Sequence, residues 1–293
     1  MNLPKELSAS VEDALGISII GATPVSGGSI NDTARVDSSD GRSYFLKSNR
    51  SAGPGMFEAE VDGLSALANV SGVRVPQPLA HGVDDKDTAW LLMEYIIPGA
   101  ATPSYQESLG QGLAAVHRQA ASKDFGWDRN NWIGSLPQSN AATATWPDFW
   151  RDQRIAPQLD LARQQGLLTE TTMDQVLEVI PAALRDITEA GLVHGDLWSG
   201  NTYAAQDGTP VLIDPAVYRG HGEVDLAMSE LFGGFGQGFY DAYDSVTPIS
   251  DEYEVFRRDL YQLYFLLVHV NLFGASYVPA SLAATRRVVA GLA

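Results

Sequence analysis

The sequence predicts an α+β fold of two lobes, in which a small antiparallel sheet is followed by a mainly helical part. Short β-like runs separated by turn residues occupy the chain before Pro98, and longer apolar patterns with helical spacing occupy the chain after it. The length of 293 residues also suits two lobes, because a domain averages roughly 150 residues. We therefore expect an N-terminal lobe at 1–97 and a C-terminal lobe at 98–293.

The N-terminal lobe is expected to be a sheet that carries one main helix. A short amphipathic helix is predicted over 3–15, and the main helix begins at Pro54, because proline suits the first turn of a helix. The predicted strands are 17–25, 30–36, 44–47, 79–83 and 89–95. The first three follow one another closely with turn residues between them, so they predict an antiparallel meander.

The C-terminal lobe is expected to consist mainly of helices. The first helix begins at Thr102-Pro103. Further helices are predicted at 147–165, 170–190, 222–232, 251–273 and 280–292. Pro157 and Pro181 lie inside two of these patterns, so kinks or breaks are expected there. A hairpin with Asp207-Gly208 as its turn interrupts the helices.

The acidic composition limits the partners of the protein. With 19 Lys and Arg against 36 Asp and Glu, the net charge is −17, which repels nucleic acid and anionic lipid surfaces. We therefore expect no nucleic-acid partner and no membrane partner. If the ligand is a polyanion such as ATP, its attraction must come from a few local cations and from metal ions.

Cysteine is absent from the sequence. This excludes a disulfide framework, a cysteine-ligated metal site and a cysteine nucleophile, and it suits a reducing compartment. The start of the chain lacks the basic and then apolar layout of a signal peptide. The most apolar stretch, 260–273, is too short to span a bilayer and contains polar residues. Together these features predict a cytoplasmic protein.

The segment Val193–Asn201 and the apolar run that leads to Asp214 carry the densest functional signal. Phosphoryl-transfer enzymes use an arrangement of this kind. It consists of a loop aspartate, an asparagine five residues later and an aspartate that follows a β-run. Asp196 suits the carboxylate that takes the proton of the attacking hydroxyl. Asn201 and Asp214 supply oxygen ligands of the kind that Mg²⁺ prefers. The alternative is structural, since Asp196 and Asn201 also suit turns in a glycine-rich loop.

Two upstream residues suit the phosphate side of the same site. Lys47 ends a β-like run, where its ammonium can contact the α- and β-phosphates of ATP. Glu60 follows on the predicted helix and can pair with Lys47, and Glu58 is the competing choice. We favour Glu60 because it precedes Leu64 by four residues and so flanks the buried stripe of the helix. Each residue alone is an ordinary surface residue, but their order ahead of the catalytic cluster favours function.

Two further segments extend the predicted ATP site. Gly27-Gly28-Ser29 lies between two strands, where glycines let backbone N–H groups approach phosphate oxygens. The alternative is a plain hairpin turn, and the sequence there is not a Walker A motif. Met93-Glu94-Tyr95 precedes the predicted linker, where backbone groups can contact the adenine ring. The alternative for this segment is an ordinary buried strand.

These motifs resemble those of the fructosamine kinase (ketosamine-3-kinase) family, a branch of the protein-kinase-like superfamily near the aminoglycoside phosphotransferases and choline kinases. The resemblance runs nearly from end to end and implies a protein-kinase-like fold. The segments that carry it are His194-Gly195-Asp196-Leu197-Trp198-Ser199-Gly200-Asn201, Ile213–Tyr218, Gly220–Met228, Leu231–Phe235, Asn131–Ser135, Pro137-Gln138, Phe149-Trp150, Arg154 and Pro157–Leu159.

The resemblance implies ATP-dependent phosphorylation of the 3-hydroxyl of a ketosamine, the Amadori product of a sugar and an amine. The resemblance implies that ribulosamines and erythrulosamines are the better substrates. Fructosamines belong to the same class. These ketosamines can be free or attached to protein lysines. Trp198 is then expected near the sugar, where its face could pack on the ketose, although a core tryptophan is the alternative.

The same resemblance implies a role for each residue of the predicted site. The base is Asp196, the ligands of Mg²⁺ are Asn201 and Asp214, and the pair at the phosphates is Lys47 with Glu60. One position departs from the family, because many members carry a cysteine where this chain has Ser29. A disulfide-linked dimer through that loop is therefore excluded.

Two other functions stay open on the sequence alone. A kinase for an aminoglycoside, a choline-like compound or another hydroxylated amine would share these motifs, and a negatively lined pocket would suit any cationic acceptor. A catalytically silent nucleotide-binding or scaffold protein is the third hypothesis, and the complete catalytic set argues against it. Ordinary protein kinases fit less well, because Gly195 stands where they carry an arginine and Asp214 is followed by Pro-Ala.

Four residues outside the cluster are expected to be structural. His117 and His269 lie on predicted helix faces, where packing or capping is the expected role, and His221 lies in a glycine-rich turn. Asp225 lies at a predicted helix start, from which we expect it to anchor the catalytic loop.

Overall fold

The N-terminal lobe contains one antiparallel sheet of five strands. The computed structural model describes residues 3–25, 30–70, 72–119, 124–168 and 171–292. The strands are β1 (Ile19–Pro24), β2 (Asp32–Ser38), β3 (Ser43–Asn49), β4 (Pro78–Val83) and β5 (Ala89–Glu94), in the spatial order β1-β2-β3-β5-β4. Lys47 lies on the central strand β3, paired with Thr33 of β2 and Leu91 of β5. The predicted meander of β1, β2 and β3 is confirmed.

Two helices cover the two faces of this sheet. Successive side chains of a strand point to opposite faces, so Trp90 and Leu92 share a core with α1 (Lys5–Leu15), while Leu91 packs with α2 (Met56–Ala68). The indole N–H of Trp90 also donates to a serine hydroxyl of α1 at 2.9 Å. Helix α2 thereby occupies the face of the sheet that looks toward the second lobe.

The C-terminal lobe is mainly helical, as predicted. Its helices are α3 (Tyr105–Gln119), α4 (Trp146–Phe149), α5 (Ala156–Gln164), α6 (Gln175–Ala183), α7 (Glu223–Leu231), α8 (Gln237–Asp244), α9 (Arg258–Phe273) and α10 (Val278–Gly291). Two π-helical segments, Trp150–Ile155 and Tyr253–Arg257, lead into α5 and α9. Pro157 lies in the first turn of α5, directly after the first π segment, so the expected irregularity is present at that proline.

Three small two-stranded antiparallel sheets position loops between these helices. They consist of β6 (Asn131–Ile133) with β7 (Leu136–Gln138), β8 (Gly191–Val193) with β11 (Tyr218–Gly220), and β9 (Thr202–Ala204) with β10 (Pro210–Leu212). The turn predicted at Asp207-Gly208 joins β9 to β10. The last two sheets hold the catalytic loop and the segment around Asp214 side by side.

Two sequence-based helix predictions differ from the structure. The helix predicted over 170–190 was wrong in its extent, because α6 ends at Ala183. Pro181 lies in the last turn of α6 and has no N–H to continue the hydrogen-bond ladder. Helix α8 was not predicted, because the glycines around it gave the segment the pattern of a loop. None of the helices in the described parts of the chain has the length and apolar character needed to cross a membrane.

Candidate active site

Lys47 forms the centre of a buried ion cluster between the lobes. Its Nζ lies 2.5 Å from Oε1 of Glu60 and also contacts the carboxylate of Asp214. Only 4% of the Lys47 side chain is exposed, so burial alone would lower the pKa of its ammonium. The charges of Asp214 and Glu60 outweigh burial, and the pKa of Lys47 lies above its usual value. The expected Lys47–Glu60 pair is present, whereas Glu58 lies near His81 instead.

The residues predicted as base and metal ligands lie in the same cleft. The side-chain amide of Asn201 donates to the backbone oxygen of Asp196 at 2.8 Å and to its carboxylate at 3.2 Å. Asp214 follows β10 with φ of 55°, a left-handed backbone that non-glycine residues rarely adopt. The cleft is lined by Lys47, Glu60, Asp196, Trp198, Asn201 and Asp214. The structure therefore brings these six predicted residues together.

The carboxyl group of Asp196 titrates near neutrality. Burial in the cleft and the nearby charge of Asp214 together raise its pKa to about 7, and the hydrogen bond from Asn201 acts in the opposite direction. A general base works best when its pKa is close to the working pH. The electrostatic surroundings of Asp196 thus suit the transfer of a proton from a hydroxyl.

Asp225 holds the catalytic loop through its backbone. Its carboxylate accepts from the N–H groups of His194 at 2.7 Å and Gly195 at 2.9 Å. His117 lies 2.9 Å from the same carboxylate and 2.7 Å from the hydroxyl of Tyr243. Hydrogen bonds from these neighbours outweigh burial, so the pKa of Asp225 is lowered. The anchoring role predicted for Asp225 is confirmed, and His117 is a buried structural residue of α3.

Gly195 is required by the shape of this loop. Its φ is 81°, and a Cβ at this position would lie 2.2 Å from the carbonyl oxygen of Ala216. No larger side chain fits without movement of the backbone. The arginine that ordinary protein kinases carry here is therefore excluded on steric grounds, which agrees with the sequence analysis.

A second cavity adjoins the cleft beneath the sheet. It shares Lys47 and Asp214 with the cleft and is otherwise largely apolar. Its walls include Phe45, Met93, Glu94, Tyr95, Tyr203 and Ile213. The predicted segment Met93-Glu94-Tyr95 thus lines this largely apolar cavity. The predicted residues Gly27, Gly28 and Ser29 lie outside the described residues.

The protein itself offers a metal in the cleft only a few oxygen ligands. Within the described residues, no group of three or more His, Cys, Asp or Glu side chains is arranged to hold a metal ion. A metal held by Asn201 and Asp214 would complete its coordination with phosphate oxygens and water. Mg²⁺ is commonly bound in this way, through one or two carboxylates and substrate phosphates.

Comparison with known proteins identifies the family. The fructosamine kinase family model matches residues 4–290. The chain belongs to the fructosamine kinase family. The family resemblance and the kinase-like fold inferred from the sequence are confirmed.

Relatives of this fructosamine kinase family member carry matching names. A "probable ketoamine kinase" from Synechocystis is 42% identical over 86% of this chain and 85% of its own length. A chloroplastic protein-ribulosamine 3-kinase from Arabidopsis thaliana is 40% identical over 86% of this chain and 78% of its own. The chain is accordingly an ATP-dependent kinase that acts on a hydroxyl group.

Solved structures agree with this assignment. A "putative fructosamine-3-kinase" from Thermobifida fusca shares 34% identity and a TM-score of 0.88, with 98% of this chain and all of the other covered. An aminoglycoside phosphotransferase has a TM-score of 0.65 at 16% identity and covers 98% of this chain and 99% of its own. At that identity the second likeness concerns the fold alone.

A third cavity adjoins Asp196 on the helical side of the kinase. Its walls are mostly aliphatic and aromatic and include Trp198, Phe232 and Phe273. Among the described residues that line it, Asp196 is the only carboxylate. The other carboxylates of the site, Glu60 and Asp214, line the adjoining cleft instead. Trp198 is 37% exposed and is not a core residue.

Helix α2 is held against the helical lobe by residues that the sequence analysis did not single out. The indole N–H of Trp127 donates to the carboxylate of Asp62 at 2.6 Å. Arg129 donates to the backbone oxygen of Glu58 at 3.1 Å. A Cβ at Gly63 would lie 3.2 Å from Val217, so α2 also packs closely on the segment that follows Asp214. These contacts keep Glu60 beside Lys47.

The hydrogen bond from Trp127 offers a test of this fixed position. Trp127→Phe removes the donor to Asp62, so we expect a loss of about 1 kcal/mol of stability and a several-fold fall in kcat. Asp62→Asn keeps an oxygen acceptor and should lie closer to the wild type. Urea unfolding and steady-state kinetics measure both effects. Unchanged values for Trp127→Phe would show that this contact does not position α2.

Proposed function

We propose that this chain is a ketosamine 3-kinase, which transfers the γ-phosphoryl group of ATP to the 3-hydroxyl of ribulosamines, erythrulosamines and fructosamines. The observation that carries the proposal is the cleft where Asp196, Asn201 and Asp214 meet the Lys47–Glu60 pair. The names of relatives in the same family support this substrate class. The proposed role is the repair of glycated amines.

In the proposed reaction, Asp196 accepts the proton of the 3-hydroxyl. As this proton leaves, the hydroxyl oxygen bonds to the γ-phosphorus, and the bond from the γ-phosphorus to the bridging oxygen of ADP breaks. Lys47 binds the α- and β-phosphates, and Glu60 keeps its ammonium in position. Asn201 and Asp214 would hold Mg²⁺, which would supply positive charge opposite the phosphates.

The remaining predicted residues have proposed roles around the two ligands. We assign Met93-Glu94-Tyr95 to the adenine ring and Gly27-Gly28-Ser29 to the phosphates. Trp198 is proposed to pack on the sugar, because its partly exposed indole lines the cleft beside Asp196. We also propose lobes at 1–97 and 98–293, since the segment between β5 and α3 contains that boundary.

Both free ketosamines and glycated protein lysines are proposed as acceptors. The Arabidopsis relative is named for protein-bound ribulosamine and for the chloroplast, and the first part of this name supports protein lysines as acceptors. The cytoplasmic location of this chain remains a prediction from its sequence.

The proposed function is tested by measuring ATP turnover in the presence of Mg²⁺ with three acceptors. These are a ribulosamine, a fructosamine and kanamycin. We expect phosphorylation of the ribulosamine and the fructosamine on the 3-hydroxyl, read by mass spectrometry and NMR. Turnover of kanamycin alone would favour an aminoglycoside-type kinase. ATP binding without turnover of any acceptor would favour a silent nucleotide-binding protein.

A further inference from the structure

Arg154 is a buried cation that has no carboxylate partner among the described residues. It lies in the π-helical segment Trp150–Ile155 and is 0% exposed. Its guanidinium donates to three neutral acceptors, which are the backbone oxygens of Ser139 at 2.6 Å and Gln153 at 2.9 Å and Oδ1 of Asn140 at 2.7 Å. Burying a charge without a counter-charge costs free energy, and an apolar residue often fills such a position without that cost. An arginine here therefore indicates a role that an apolar side chain cannot perform.

Two aromatic rings enclose the guanidinium. Its central carbon lies 4.0 Å from the ring centroid of Tyr218 and 4.5 Å from that of Phe149. The negative face of an aromatic ring attracts a cation, which offsets part of the lost hydration. Tyr218 begins β11 and follows Asp214 by four residues. Arg154 thus packs directly on the segment that carries the proposed metal ligand.

Three buried amide side chains connect this guanidinium to the backbone that follows β10. They are Asn131, Gln138 and Asn140, which we call the amide network. Nδ2 of Asn140 donates to Oδ1 of Asn131 at 2.9 Å, and Nε2 of Gln138 donates to the same oxygen at 2.7 Å. Nδ2 of Asn131 then donates to the carbonyl oxygen of Val217 at 2.8 Å, and Nε2 of Gln138 donates to that of Ala216 at 3.3 Å. Side-chain amides thus hold the carbonyl groups of two successive residues.

Arg154 sets the direction of the hydrogen bonds in the amide network. An amide side chain accepts at its oxygen and donates at its nitrogen, whereas a guanidinium only donates. The oxygen of Asn140 therefore faces Arg154, its nitrogen faces Asn131, and the nitrogen of Asn131 is left for the backbone carbonyl. The hydroxyl of Tyr264 donates to Oε1 of Gln138 at 2.5 Å and orients that amide in the same sense. Hydrogen bonds in a row polarise one another, so a charged donor at the start strengthens the last bond.

We propose that Arg154 is a positioning residue, which acts through the amide network and Tyr218 to keep Asp214 in place as a metal ligand. This inference rests on the metal-ligand role proposed above for Asp214. The φ of 55° at Asp214 is a conformation that non-glycine residues keep only where their surroundings enforce it. The amide network holds Ala216 and Val217, and Arg154 packs on Tyr218. These contacts fix the backbone directly after Asp214.

Asn140→Asp tests the proposal with Arg154 left in place. The new carboxylate can accept from the guanidinium and form an ion pair with it, so the variant should fold. It has no hydrogen to donate to Oδ1 of Asn131, and two acceptors then face each other, so the hold on Val217 should weaken. In calorimetric titrations, we expect the affinity for ADP with Mg²⁺ to fall about tenfold and the affinity for ADP without metal to stay within about twofold of the wild type.

Asn130→Asp is the matched control, because it makes the same chemical change on an exposed side chain of the same segment. Oδ1 of Asn130 accepts from the backbone N–H of Asn140 at 2.9 Å, and a carboxylate keeps that acceptor. Both nucleotide affinities should match those of the wild type. An equal fall of the affinity with Mg²⁺ in the two variants would show that added negative charge causes the loss, and it would overturn the proposal.

Variants of Arg154 measure the contribution of the guanidinium itself. A lysine keeps the charge but lacks the planar fork of donors. The preference for ADP with Mg²⁺ over ADP alone should therefore be partly lost in Arg154→Lys and more fully lost in Arg154→Met. Urea unfolding follows the stability of each variant. Asn140→Asp decides the proposal where Arg154→Met does not fold.

The nucleotide titrations separate positioning from a merely structural role. A fall of both nucleotide affinities in parallel with stability, or a wild-type preference for ADP with Mg²⁺ in Asn140→Asp, would overturn the proposal. If Asp214→Ala keeps the wild-type preference, the metal-ligand role of Asp214 fails and the proposal fails with it. Failure of the ketosamine assignment alone looks different, because it changes the acceptor and leaves the nucleotide titrations as expected.

Discussion

Replacing Asp196 with asparagine is expected to lower kcat with ATP and a ribulosamine by at least about 100-fold. Asparagine keeps the size of the side chain and removes the group that accepts the proton. The affinity for ATP should stay within a few-fold of the wild type, because Lys47 and the apolar cavity beneath the sheet are unchanged. Steady-state kinetics and calorimetric titration of ATP measure the two quantities separately.

The same variant should be more stable than the wild type at about pH 8. The pKa of Asp196 is about 7 in the folded chain against an ordinary value of 3.8, so folding favours its protonated form. This contribution to stability is fully present below about pH 4 and is lost as the pH rises through 7. Because the side chain is partly exposed to the cleft, we expect Asp196→Asn to gain roughly 1–2 kcal/mol at pH 8.

Urea unfolding at pH 8 and pH 4 checks this expectation. The difference between Asp196→Asn and the wild type should shrink at the lower pH, where neither folded chain carries a charge at this position. A variant that loses stability and ATP affinity together at pH 8 would show instead that Asp196 is a structural residue of the loop.

The site residues that could be predicted from sequence are those whose relative positions depend on short-range structure. Asp196 and Asn201 share one loop, and Asp214 follows the neighbouring hairpin, so short-range structure already brings them close. Glu60 could be separated from Glu58 because a helix has a fixed period, and the buried stripe of α2 set which face turns inward. The same reasoning found Asp225 as the residue that anchors the loop.

The residues that could not be predicted depend on contacts between distant parts of the chain. Trp127 meets Asp62 across the lobes, and nothing in the local pattern of either residue indicates a partner. Phe45 and Ile213 line one cavity although each reads only as an ordinary strand residue. The positions of the charges could not be predicted either, because a net charge of −17 describes the whole chain and not the mainly apolar cavity beside Asp196.

Replacing Asp214 with alanine is expected to remove activity together with its dependence on Mg²⁺. In the proposed site, Asp214 provides the carboxylate ligand, and Asn201 alone offers one neutral oxygen, which binds a hard divalent cation weakly. We expect kcat to fall by at least about 100-fold. Lys47 keeps Glu60 as a partner at 2.5 Å, so the buried ammonium remains paired and the variant should fold.

A titration of activity with Mg²⁺ distinguishes a metal ligand from a residue that only positions Lys47. Lys47→Met removes the cation but leaves Asp214 and Asn201, so its remaining activity should still saturate with Mg²⁺ near the wild-type concentration. Asp207→Ala serves as the control, because this exposed acid lies in the turn between β9 and β10. The variant should change neither kcat nor the Mg²⁺ concentration that saturates the activity. Removal of Asp214 also removes a charge that raises the pKa of Asp196, so the pKa of Asp196 should fall in Asp214→Ala. A wild-type Mg²⁺ titration in Asp214→Ala would show that the metal is held by other groups.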